Sequence, residues 1–313
     1  MTIKENEPLS KHTNFRIGGP ARWYVEARSE AELLEAIQFA NKQEVPIHVL
    51  GGGSNTLASD EGFAGVVIQM AMRAITFNPT LSVGLNSVVV VEAGAMSAAI
   101  ARQTADAGLE GMEWAISLPG TIGGAVRGNA GCFGGEMSQV VKSVRLLRGL
   151  EVIEVVTKDL HFAYRDSALK HSSDIVLSVT FELQPGDREM LLKKLDETLT
   201  KRKASQPLYA GSAGCIFKNY DGTNEDVQRI ESSGDILTPE MMSSRRVSAG
   251  WLIDKLGLKG TKIGNAQISP EHGNFIVNLG GATASDVVQL IGLVKTRARH
   301  RYGIELQEEV QYL

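Results

Sequence analysis

The sequence lacks the residue patterns of several common classes of site. Its 313 residues include only two cysteines, Cys132 and Cys215, which excludes a small disulfide-stapled scaffold and favours a reduced protein. Neither C-x-x-C nor H-E-x-x-H occurs, so we expect no metal site. The phosphate-binding patterns G-x-G-x-x-G and G-x-x-x-x-G-K-[ST] are also absent, which argues against a Rossmann site and a P-loop.

Long apolar runs and a strong excess of one charge are missing too. No apolar run approaches the roughly 20 residues that cross a bilayer, and the start, "MTIKENEPLSKHTNF", has no signal-peptide core. The net charge of -4 argues against nucleic acid or an anionic membrane surface as the main partner. We therefore expect a cytoplasmic protein without membrane insertion. We also expect a monomer, because no exposed apolar helix face stands out.

Glycine, by contrast, is plentiful and is concentrated in two stretches. Three of the 33 glycines stand together in "LGGGSNT" (50–56), and seven fall in the twenty residues "SLPGTIGGAVRGNAGCFGGE" (117–136). Glycine disfavours both helices and strands. We therefore predict that 117–136 contains no regular element.

Hydrophobic periodicity predicts alternating strands and helices around these glycine-rich stretches. The predicted strands cover 21–27, 47–51, 66–70, 87–94, 140–148, 151–157, 174–183 and 274–278. The predicted helices cover 29–44, 97–109, 187–203, 249–258 and 283–303. The first helix begins at Ser29, with Glu32 at capping-box spacing. Pro207 follows the third helix and marks a domain boundary.

The stretch 50–56 has two interpretations. Three glycines after a strand expose backbone N–H groups, which together with Ser54 and Asn55 could form a nest for a phosphate. The same residues could also form a tight surface turn. The second glycine-rich stretch favours a ligand that runs between the two, because glycine permits close approach of the main chain.

Arg165 and two glutamates each have a structural and a chemical interpretation. Arg165, in "FAYRDS" (162–167), is either solvated or presents its guanidinium fork to a carboxylate. Glu308 and Glu309 lie in an alternating tail, so one of them must face inward if the tail is a strand. Sequence spacing alone does not decide between these interpretations.

The two cysteines have different surroundings. Cys132 belongs to the second glycine-rich stretch, where we expect it to be a small filler residue. Cys215 lies in "GSAGCIFKN" (211–219), whose residues are smaller than the apolar neighbours of an ordinary core cysteine. Its thiol therefore has room to act on a ligand.

Seven stretches of the chain occur in the order and spacing of one enzyme family. They are "NFRIGG" (14–19), "LGGGSN" (50–55), "LPGTIGGAVRGNAG" (118–131), "YRDS" (164–167), "QPLYAGSAGCIFKN" (206–219), "AGWLIDKLGLKG" (249–260) and "EEV" (308–310). With them the chain resembles the UDP-N-acetylenolpyruvoylglucosamine reductases over essentially its whole length. The short connection after "YRDS" is similar to the shorter type of this family, which lacks an extra loop that carries a tyrosine.

This resemblance implies an α+β protein with an FAD-binding fold of the vanillyl-alcohol-oxidase kind. Two FAD-binding subdomains would cover 1–79 and 80–205, a third, α/β domain that binds substrate would cover 206–302, and the tail 303–313 would return to the active site. The implied reaction reduces UDP-N-acetylglucosamine enolpyruvate to UDP-N-acetylmuramate for bacterial peptidoglycan. Its cofactor would be non-covalent FAD, with NADPH as co-substrate.

The resemblance also assigns binding roles to individual residues. Those that would hold the FAD diphosphate are Gly51, Gly52, Gly53, Ser54 and Asn55. Those that would approach the flavin are Pro119, Gly120, Thr121, Gly123 and Gly124. Lys218 and Asn219 match residues near the substrate diphosphate, and Lys255 matches a lysine that contacts the uridine nucleotide.

The catalytic residues that the resemblance implies are Arg165, Cys215 and Glu309. When hydride reaches the terminal carbon of the enol ether, negative charge develops at the other carbon and spreads into the carboxylate. A cation and an acid are needed there, and these would be Arg165 and Glu309. The carbanion must then take up a proton, for which the family uses a serine. This chain has Cys215 instead, and a thiol is a stronger acid than an alcohol.

Two alternative functions use the same residues. One is a flavin oxidase of the same fold in which Cys215 is attached covalently to the flavin. The other is a sugar-nucleotide-binding protein that catalyses nothing. Gly128 also departs from the family, which usually has a bulkier residue there, and this makes the cavity near the flavin roomier.

Overall fold

Strands and helices follow one another along the whole described chain. The computed structural model describes residues 1–78 and 86–313, and the predicted boundary between residues 79 and 80 lies outside them. The strands are β1 (Ile3–Pro8), β2 (Pro20–Ala27), β3 (Ile47–Leu50), β4 (Thr56–Leu57), β5 (Phe63–Met70), β6 (Ile75–Asn78), β7 (Ser87–Glu92), β8 (Leu109–Glu110), β9 (Gly131–Cys132), β10 (Gly135–Glu136), β11 (Val141–Arg148), β12 (Glu151–Val156), β13 (Ile175–Pro185), β14 (Tyr220–Asp221), β15 (Arg246–Val247), β16 (Lys262–Ile263), β17 (Ala266–Ile268), β18 (Ile276–Asn278) and β19 (Gln311–Tyr312). The helices are α1 (Glu30–Lys42), α2 (Ser97–Asp106), α3 (Ile122–Arg127), α4 (Arg188–Ser205), α5 (Asn224–Ser232), α6 (Pro239–Ser244), α7 (Ala249–Lys255) and α8 (Ala284–Tyr302).

The chain forms two compact units, the first of which consists of Met1–Glu7, Ala21–Gly52 and Ala64–Ala204. It contains a four-stranded sheet in the order β1-β2-β5-β3, in which β3 is parallel to β5. Its six-stranded sheet has the antiparallel order β12-β11-β13-β7-β6, and β8 pairs with β13 as well. The β-branched strand β7 is paired on both sides, an environment in which such residues pack well. Its buried Val89 and Val91 belong to the core of this unit.

The first helix, α1, begins where the sequence predicts. The Ser29 hydroxyl accepts a hydrogen bond of 3.2 Å from the Glu32 amide, as an N-cap residue should. The Glu32 carboxylate accepts in turn from the amide of Arg28, at 2.7 Å. It therefore reaches one residue further back than in a standard capping box.

The glycine-rich stretch 117–136 contains regular structure, so our prediction that it has none was wrong. Ile122–Arg127 form the helix α3, and β9 pairs with β10 as a hairpin. The start of α3 is held from outside, because the Ile122 amide donates to the carbonyl of Ala95 at 2.9 Å. Hydrogen bonds to other parts of the fold therefore stabilise this short helix, whose two glycines have a low intrinsic helix propensity.

The second unit consists of Pro8–Pro20, Gly53–Phe63 and Ser205–Leu313. It contains the antiparallel sheet β16-β17-β18 and a two-stranded parallel pair formed by β4 and β19. The long helix α8 buries one apolar face in the core of this unit. This unit therefore has a hydrophobic core of its own. The three-domain division inferred from the resemblance stays a prediction.

Two helices end three residues earlier than predicted. α2 ends at Asp106 and α7 ends at Lys255. In each case the glycine two residues later is left-handed, with φ of +69° at Gly108 and +68° at Gly257. Glycine adopts this conformation at little cost and commonly terminates helices in this way.

Candidate active site

Two glycine-rich loops meet main chain to main chain in the first unit. β3 ends at Leu50, and the two glycines that follow pass beside the start of α3. A Cβ atom on Gly51 would lie 2.5 Å from the Thr121 Oγ1. A Cβ atom on Gly52 would lie 2.7 Å from the Gly120 Cα. Both distances are too short for real atoms, so only glycine permits this approach.

These four residues form what we call the glycine cradle: Gly51, Gly52, Gly120 and Thr121. The Thr121 side chain is 6% exposed and is the N-cap of α3, yet its hydroxyl makes no capping hydrogen bond. Within residues 1–78 and 86–313, no donor or acceptor satisfies it. A buried polar group left without a partner costs about 1–3 kcal/mol. This hydroxyl is therefore available to a polar ligand in the cradle.

Three more residues that we expect near the flavin, Pro119, Gly123 and Gly124, differ in their surroundings. The Gly123 amide donates to the Ala93 carbonyl at 2.9 Å, and a Cβ on Gly123 would lie 2.9 Å from the Ala93 Cβ. Gly123 is therefore used in packing within the protein. Gly124 is exposed, and a Cβ there would lie 3.8 Å from the Thr121 Oγ1. Pro119 is half-buried just before the cradle.

The rest of the "LGGGSN" motif belongs to the second unit. Gly53 has a φ of +61°, and a Cβ there would lie 2.0 Å from the His12 carbonyl oxygen. Ser54 is half-buried. The side-chain amide of Asn55 donates to the main-chain carbonyl of Glu309 at 2.9 Å. This motif therefore contacts the C-terminal tail as well as contributing glycines to the cradle.

Arg165 lies at the tip of a tight hairpin in the first unit. Ala163 and Asp166 exchange both main-chain hydrogen bonds, at 3.0 and 3.1 Å, so Tyr164 and Arg165 form the turn. The φ of Arg165 is +56°, a left-handed conformation that costs a residue with a side chain about 1–2 kcal/mol. Backbone strain of this kind is typical of functional positions. It favours the chemical interpretation of Arg165 over the solvated one.

The hairpin that carries Arg165 is hydrogen-bonded to the residues around the end of α3. Asn129 is buried and donates from Nδ2 to the Ala163 carbonyl at 2.9 Å. The Ser167 hydroxyl donates to the Arg127 carbonyl at 2.7 Å. Lys170 donates from Nζ to the carbonyl of the strained arginine itself, at 2.6 Å. The main chain around Arg165 is therefore held in part by the same stretch of chain that contributes Gly120 to the cradle.

The residue after this arginine carries a stable negative charge. Burial raises the pKa of Asp166, but hydrogen bonds from the His171 ring and the Ser167 amide outweigh it, and the pKa lies below its ordinary value. The His171 Nε2 is 3.0 Å from the Asp166 Oδ1. Burial also lowers the pKa of Arg127, although the charge of Asp166 opposes that shift. Asp166 is therefore ionised at neutral pH.

In the second unit, the C-terminal tail pairs with the stretch that carries Cys215. The Glu309 amide donates to the Ile216 carbonyl at 2.7 Å, and the Lys218 amide donates to the Gln307 carbonyl at 2.8 Å. Two predicted catalytic residues that are far apart in the sequence, Cys215 and Glu309, are thus brought onto paired stretches of main chain. Main-chain atoms alone make these bonds.

Asn274 makes hydrogen bonds to the residues that follow Cys215, on the side away from the tail. The carbonyl of Asn274 accepts from the Ile216 amide at 2.9 Å. Its side chain accepts from the Phe217 amide at 2.9 Å and donates to the Phe217 carbonyl at 2.8 Å. A Cβ on Gly214 would meet no described atom within 4 Å. The chain is therefore rigid beside Cys215, with open space at the preceding glycine.

The adjacent acids of the tail differ in their partners. The Glu308 carboxylate lies 2.7 Å from the Lys295 Nζ on α8 and also accepts from the Tyr312 hydroxyl. Burial raises the pKa of Glu308, but these two partners outweigh it and lower the pKa below its ordinary value. Both Glu308 and Glu309 are half-buried, and the regular strand in the tail is limited to Gln311–Tyr312. At the two acids the tail forms only an isolated β-bridge, between Glu308 and Phe217, although the alternating pattern is typical of a regular strand.

The three residues expected near the substrate nucleotide lie in the second unit. The side-chain oxygen of Asn219 accepts from the Ala249 amide at the start of α7, at 3.2 Å, so it helps to hold that helix. Lys218 is half-buried beside it. Lys255 lies at the end of α7, with its Nζ 5.6 Å from the centre of the Trp251 ring.

Lys255 also belongs to a group of charges around Asp235. The Asp235 side chain is only 9% exposed and accepts hydrogen bonds from Arg301 at 2.6 Å and from the Tyr302 hydroxyl at 2.7 Å. The Lys255 Nζ is 3.8 Å from its other oxygen. Burial raises the pKa of Asp235, but the Tyr302 hydrogen bond and the two positive charges outweigh it and lower the pKa.

Sequence reasoning missed the residues that hold the predicted ones in place. They are Asn129, Asp235, Asn274 and Lys295. Each acts on a partner that is distant in the sequence, so no local pattern identifies it. By contrast, the glycines, the arginine and the cysteine were recognisable because each stands out in its own short motif.

Neither cysteine forms a disulfide within the described residues, and burial raises the pKa of the Cys132 thiol. Within residues 1–78 and 86–313, no group of His, Cys, Asp and Glu side chains could hold a metal ion. No helix in the described part of the chain is both long enough and apolar enough to span a membrane.

Two family models match separate parts of the chain. Residues 206–313 match the model described as "UDP-N-acetylenolpyruvoylglucosamine reductase, C-terminal domain". Residues 21–154 match an FAD binding domain. The second match includes the glycine cradle, and the first includes the paired stretches that carry Cys215 and Glu309.

Similar proteins cover essentially the whole chain. UDP-N-acetylenolpyruvoylglucosamine reductase 2 of Symbiobacterium thermophilum is 36% identical over 313 residues, which span 99% of this chain and 91% of that one. The reductase of Lactiplantibacillus plantarum is 37% identical over 315 residues, with 100% and 94% covered. The crystal structure of the Thermus caldophilus reductase aligns with a TM-score of 0.76 at 34% identity, covering 99% of each chain.

Proposed function

The chain belongs to the UDP-N-acetylenolpyruvoylglucosamine reductase family, and we propose that it performs the reaction for which that family is named. It is an FAD-dependent oxidoreductase that reduces UDP-N-acetylglucosamine enolpyruvate to UDP-N-acetylmuramate in peptidoglycan synthesis. Membership confirms the predicted family and the predicted α+β fold with an FAD-binding domain of the vanillyl-alcohol-oxidase kind.

The glycine cradle is the observation that carries this proposal. Its glycines let the two loops approach closely, Gly51 and Gly52 stay half-buried, and the Thr121 hydroxyl is buried with no partner among the described residues. Half-buried glycine main chain and a buried hydroxyl suit a diphosphate and a flat ring system, so the residues fit FAD. Bound there, FAD would supply hydride transfer between NADPH and the terminal carbon of the substrate's enolpyruvyl group. Gly51, Gly52 and Thr121 would hold it without a covalent bond.

Arg165 is proposed to bind the carboxylate of the enolpyruvyl group. A guanidinium pairs with a carboxylate through two parallel hydrogen bonds. The strained turn and its three hydrogen bonds fix the main chain from which this side chain extends. Less conformational freedom is then lost on binding, which helps to orient the reacting group.

Glu309 is proposed to stabilise the negative charge that spreads into the carboxylate. Its main chain is bonded on both sides, to Ile216 and to Asn55. The neighbouring Glu308 is already engaged with Lys295. That ion pair occupies the Glu308 carboxylate, which argues against Glu308 as the acid that takes part in the reaction.

Cys215 is proposed to donate the proton that completes the reduction. The S–H bond breaks, the proton forms a C–H bond at the carbon that carries the negative charge, and a thiolate remains that solvent reprotonates. A thiol is a stronger acid than the serine hydroxyl that the family uses at this position. The open space at Gly214 supports this role, because a substrate carbon needs room to approach the sulfur.

The remaining assignments extend the same proposal. Lys218 and Asn219 would contact the substrate diphosphate, and Lys255 would contact the uridine nucleotide. NADPH would be the reductant, the protein would act as a monomer in the cytoplasm, and its three domains would follow the predicted boundaries.

One experiment tests the activity directly. The purified protein should be yellow and should oxidise NADPH only when the enolpyruvyl nucleotide is supplied. Colourless protein that takes up no added FAD would contradict the proposal. Equal oxidation of NADPH with and without the nucleotide would contradict the assigned substrate.

A further inference from the structure

The main chain of Glu309 is held from two directions within the second unit. Its amide donates to the Ile216 carbonyl at 2.7 Å. Its carbonyl accepts from the Asn55 Nδ2 at 2.9 Å and from the Gln311 Nε2 at 3.1 Å. Of these two amide donors, Gln311 is an exposed residue of the tail itself. Asn55 comes from a different part of the sequence and is the one that anchors the acid to the rest of the unit.

Asn55 bonds to the tail a second time, on the far side of Val310. The main-chain carbonyl of Asn55 accepts from the Gln311 amide at 2.9 Å. The side chain of Asn55 therefore binds residue 309, and its main chain binds residue 311. Val310, which lies between them, is 2% exposed and belongs to the core. From this point β19 continues in parallel with β4.

Glu309 thus lies where the hydrogen-bond partner of the tail changes from residues 215–218 to β4. The Ile216 carbonyl accepts from the Glu309 amide and, at 3.4 Å, from the Val310 amide, and pairing with β4 begins at Gln311. At the change itself, a side-chain amide takes the place of a strand hydrogen bond. Fixing both the amide and the carbonyl of one residue fixes its main-chain torsions, and so the direction of its Cα–Cβ bond.

We propose that Asn55 is a positioning residue for Glu309: its side-chain amide aims the catalytic carboxylate. The inference rests on the proposed role of Glu309. An asparagine amide has two N–H donors and one acceptor oxygen, and one donor is committed to the Glu309 carbonyl. This role is distinct from the one that the motif implies, in which Asn55 would act on the FAD diphosphate.

A double-mutant cycle with Glu309 tests the proposal. The variants are Asn55→Ala, Glu309→Gln and both together, each saturated with FAD, with kcat and KM measured for NADPH and for the enolpyruvyl nucleotide. Asn55→Ala should lower kcat about ten-fold or more, since small displacements of a reacting group are costly. In the Glu309→Gln background it should lower kcat no further, because there is no carboxylate left to aim.

Two further measurements separate positioning from other roles. FAD titrated into the flavin-free protein should bind Asn55→Ala within about three-fold of the wild-type affinity. Asn278→Ala is the matched control: Asn278 also donates from Nδ2 to a main-chain carbonyl, that of Phe15, at 3.0 Å. Any loss of kcat that it causes should persist in the Glu309→Gln background. Asn55→Asp keeps the shape but removes the donor, so it repeats the cycle if Asn55→Ala folds poorly.

The outcomes are distinct. Equal loss from Asn55→Ala with and without the Glu309 carboxylate overturns the inference and leaves the proposed function intact. Weakened FAD binding with unchanged kcat at saturation also overturns it, in favour of a role at the diphosphate. Full activity of Glu309→Gln overturns both the inference and the role of Glu309 on which it rests.

Discussion

The Glu309 amide donates a hydrogen bond of 2.7 Å to the carbonyl of Ile216, the residue that follows Cys215. This pairing places a carboxylate and a thiol on adjacent stretches of main chain, although 94 positions separate the two side chains in the sequence. Because main-chain atoms make the bond, substitution of either side chain should leave it intact. Variants at these two positions therefore test chemistry more than folding.

Cys215→Ala should lower turnover by about 10²–10⁴-fold, the usual contribution of a positioned proton donor. Cys215→Ser should retain substantial activity, because a hydroxyl can also deliver a proton. Turnover is measured as substrate-dependent oxidation of NADPH, and Cys132→Ala serves as the matched control that keeps its activity. If Cys215→Ala turned over as fast as the wild type, the proton would have to come from another group.

Arg165→Gly should separate strain from function. Glycine accepts a φ of +56° without penalty, so the loss of strain offsets the greater freedom of the unfolded chain. We expect a free energy of unfolding within about 1 kcal/mol of the wild type, together with a loss of turnover of at least about 10²-fold.

Arg165→Lys is the companion variant, which keeps the charge but loses the bidentate fork. It should raise KM for the nucleotide. Thermal unfolding and steady-state kinetics on the same preparations give both quantities. A strongly destabilised Arg165→Gly, or one with normal kinetics, would show that the strained turn serves folding and not binding.

Gly52→Ala should abolish stable binding of FAD. The new Cβ would lie 2.7 Å from the Gly120 Cα and 3.3 Å from the Thr121 main-chain nitrogen, so the two loops must separate and the cradle must change shape. Gly292→Ala is the control, because Gly292 lies within α8 and a Cβ there has open space. It should retain FAD and be stabilised by about 0.5–1 kcal/mol. The ratio of flavin to protein absorbance after gel filtration measures retention.

The same preparations show how the flavin is attached. After acid precipitation of the wild type, we expect the yellow colour in the supernatant. Flavin that stays with the precipitated protein would instead favour the alternative in which Cys215 binds it covalently.

Asp235 should make stability depend on acid pH. Its pKa in the folded protein lies below the ordinary value, so the unfolded chain binds the proton more tightly. Its contribution is therefore complete above about pH 4, the ordinary aspartate value, and is lost as pH falls through the lowered pKa. Asp235→Asn should cost about 1–3 kcal/mol at pH 7, and less at pH 3.

Asp254→Asn is the control for this measurement. Asp254 lies on α7 and pairs with Lys259 at 3.2 Å, but its side chain is 54% exposed. We expect a loss below about 1 kcal/mol, as for most surface ion pairs. Urea unfolding at the two pH values gives both comparisons. A loss at Asp235 that does not change with pH would mean that packing, and not charge, makes its contribution.

Much of the secondary structure was predictable because it depends on neighbours in the sequence. The cap at Ser29 and the apolar period of α1 are local, and so they appear in the structure where the pattern put them. The helix α3 was not predictable. Its glycines oppose a helix locally, and a hydrogen bond to Ala95 outweighs them.

The candidate site also has features that the sequence predicts and features that it does not. The sequence by itself determined which residue types carry chemistry: two glycine-rich loops, an arginine, a cysteine and a terminal pair of acids, each visible in a short motif. Only the tertiary structure decided that Arg165 is left-handed, that Glu308 pairs with Lys295, and that Glu309 lies beside the cysteine stretch. The physical reason is range: a motif reflects what adjacent residues need, whereas strain and pairing depend on hydrogen bonds between segments that meet only in the folded chain.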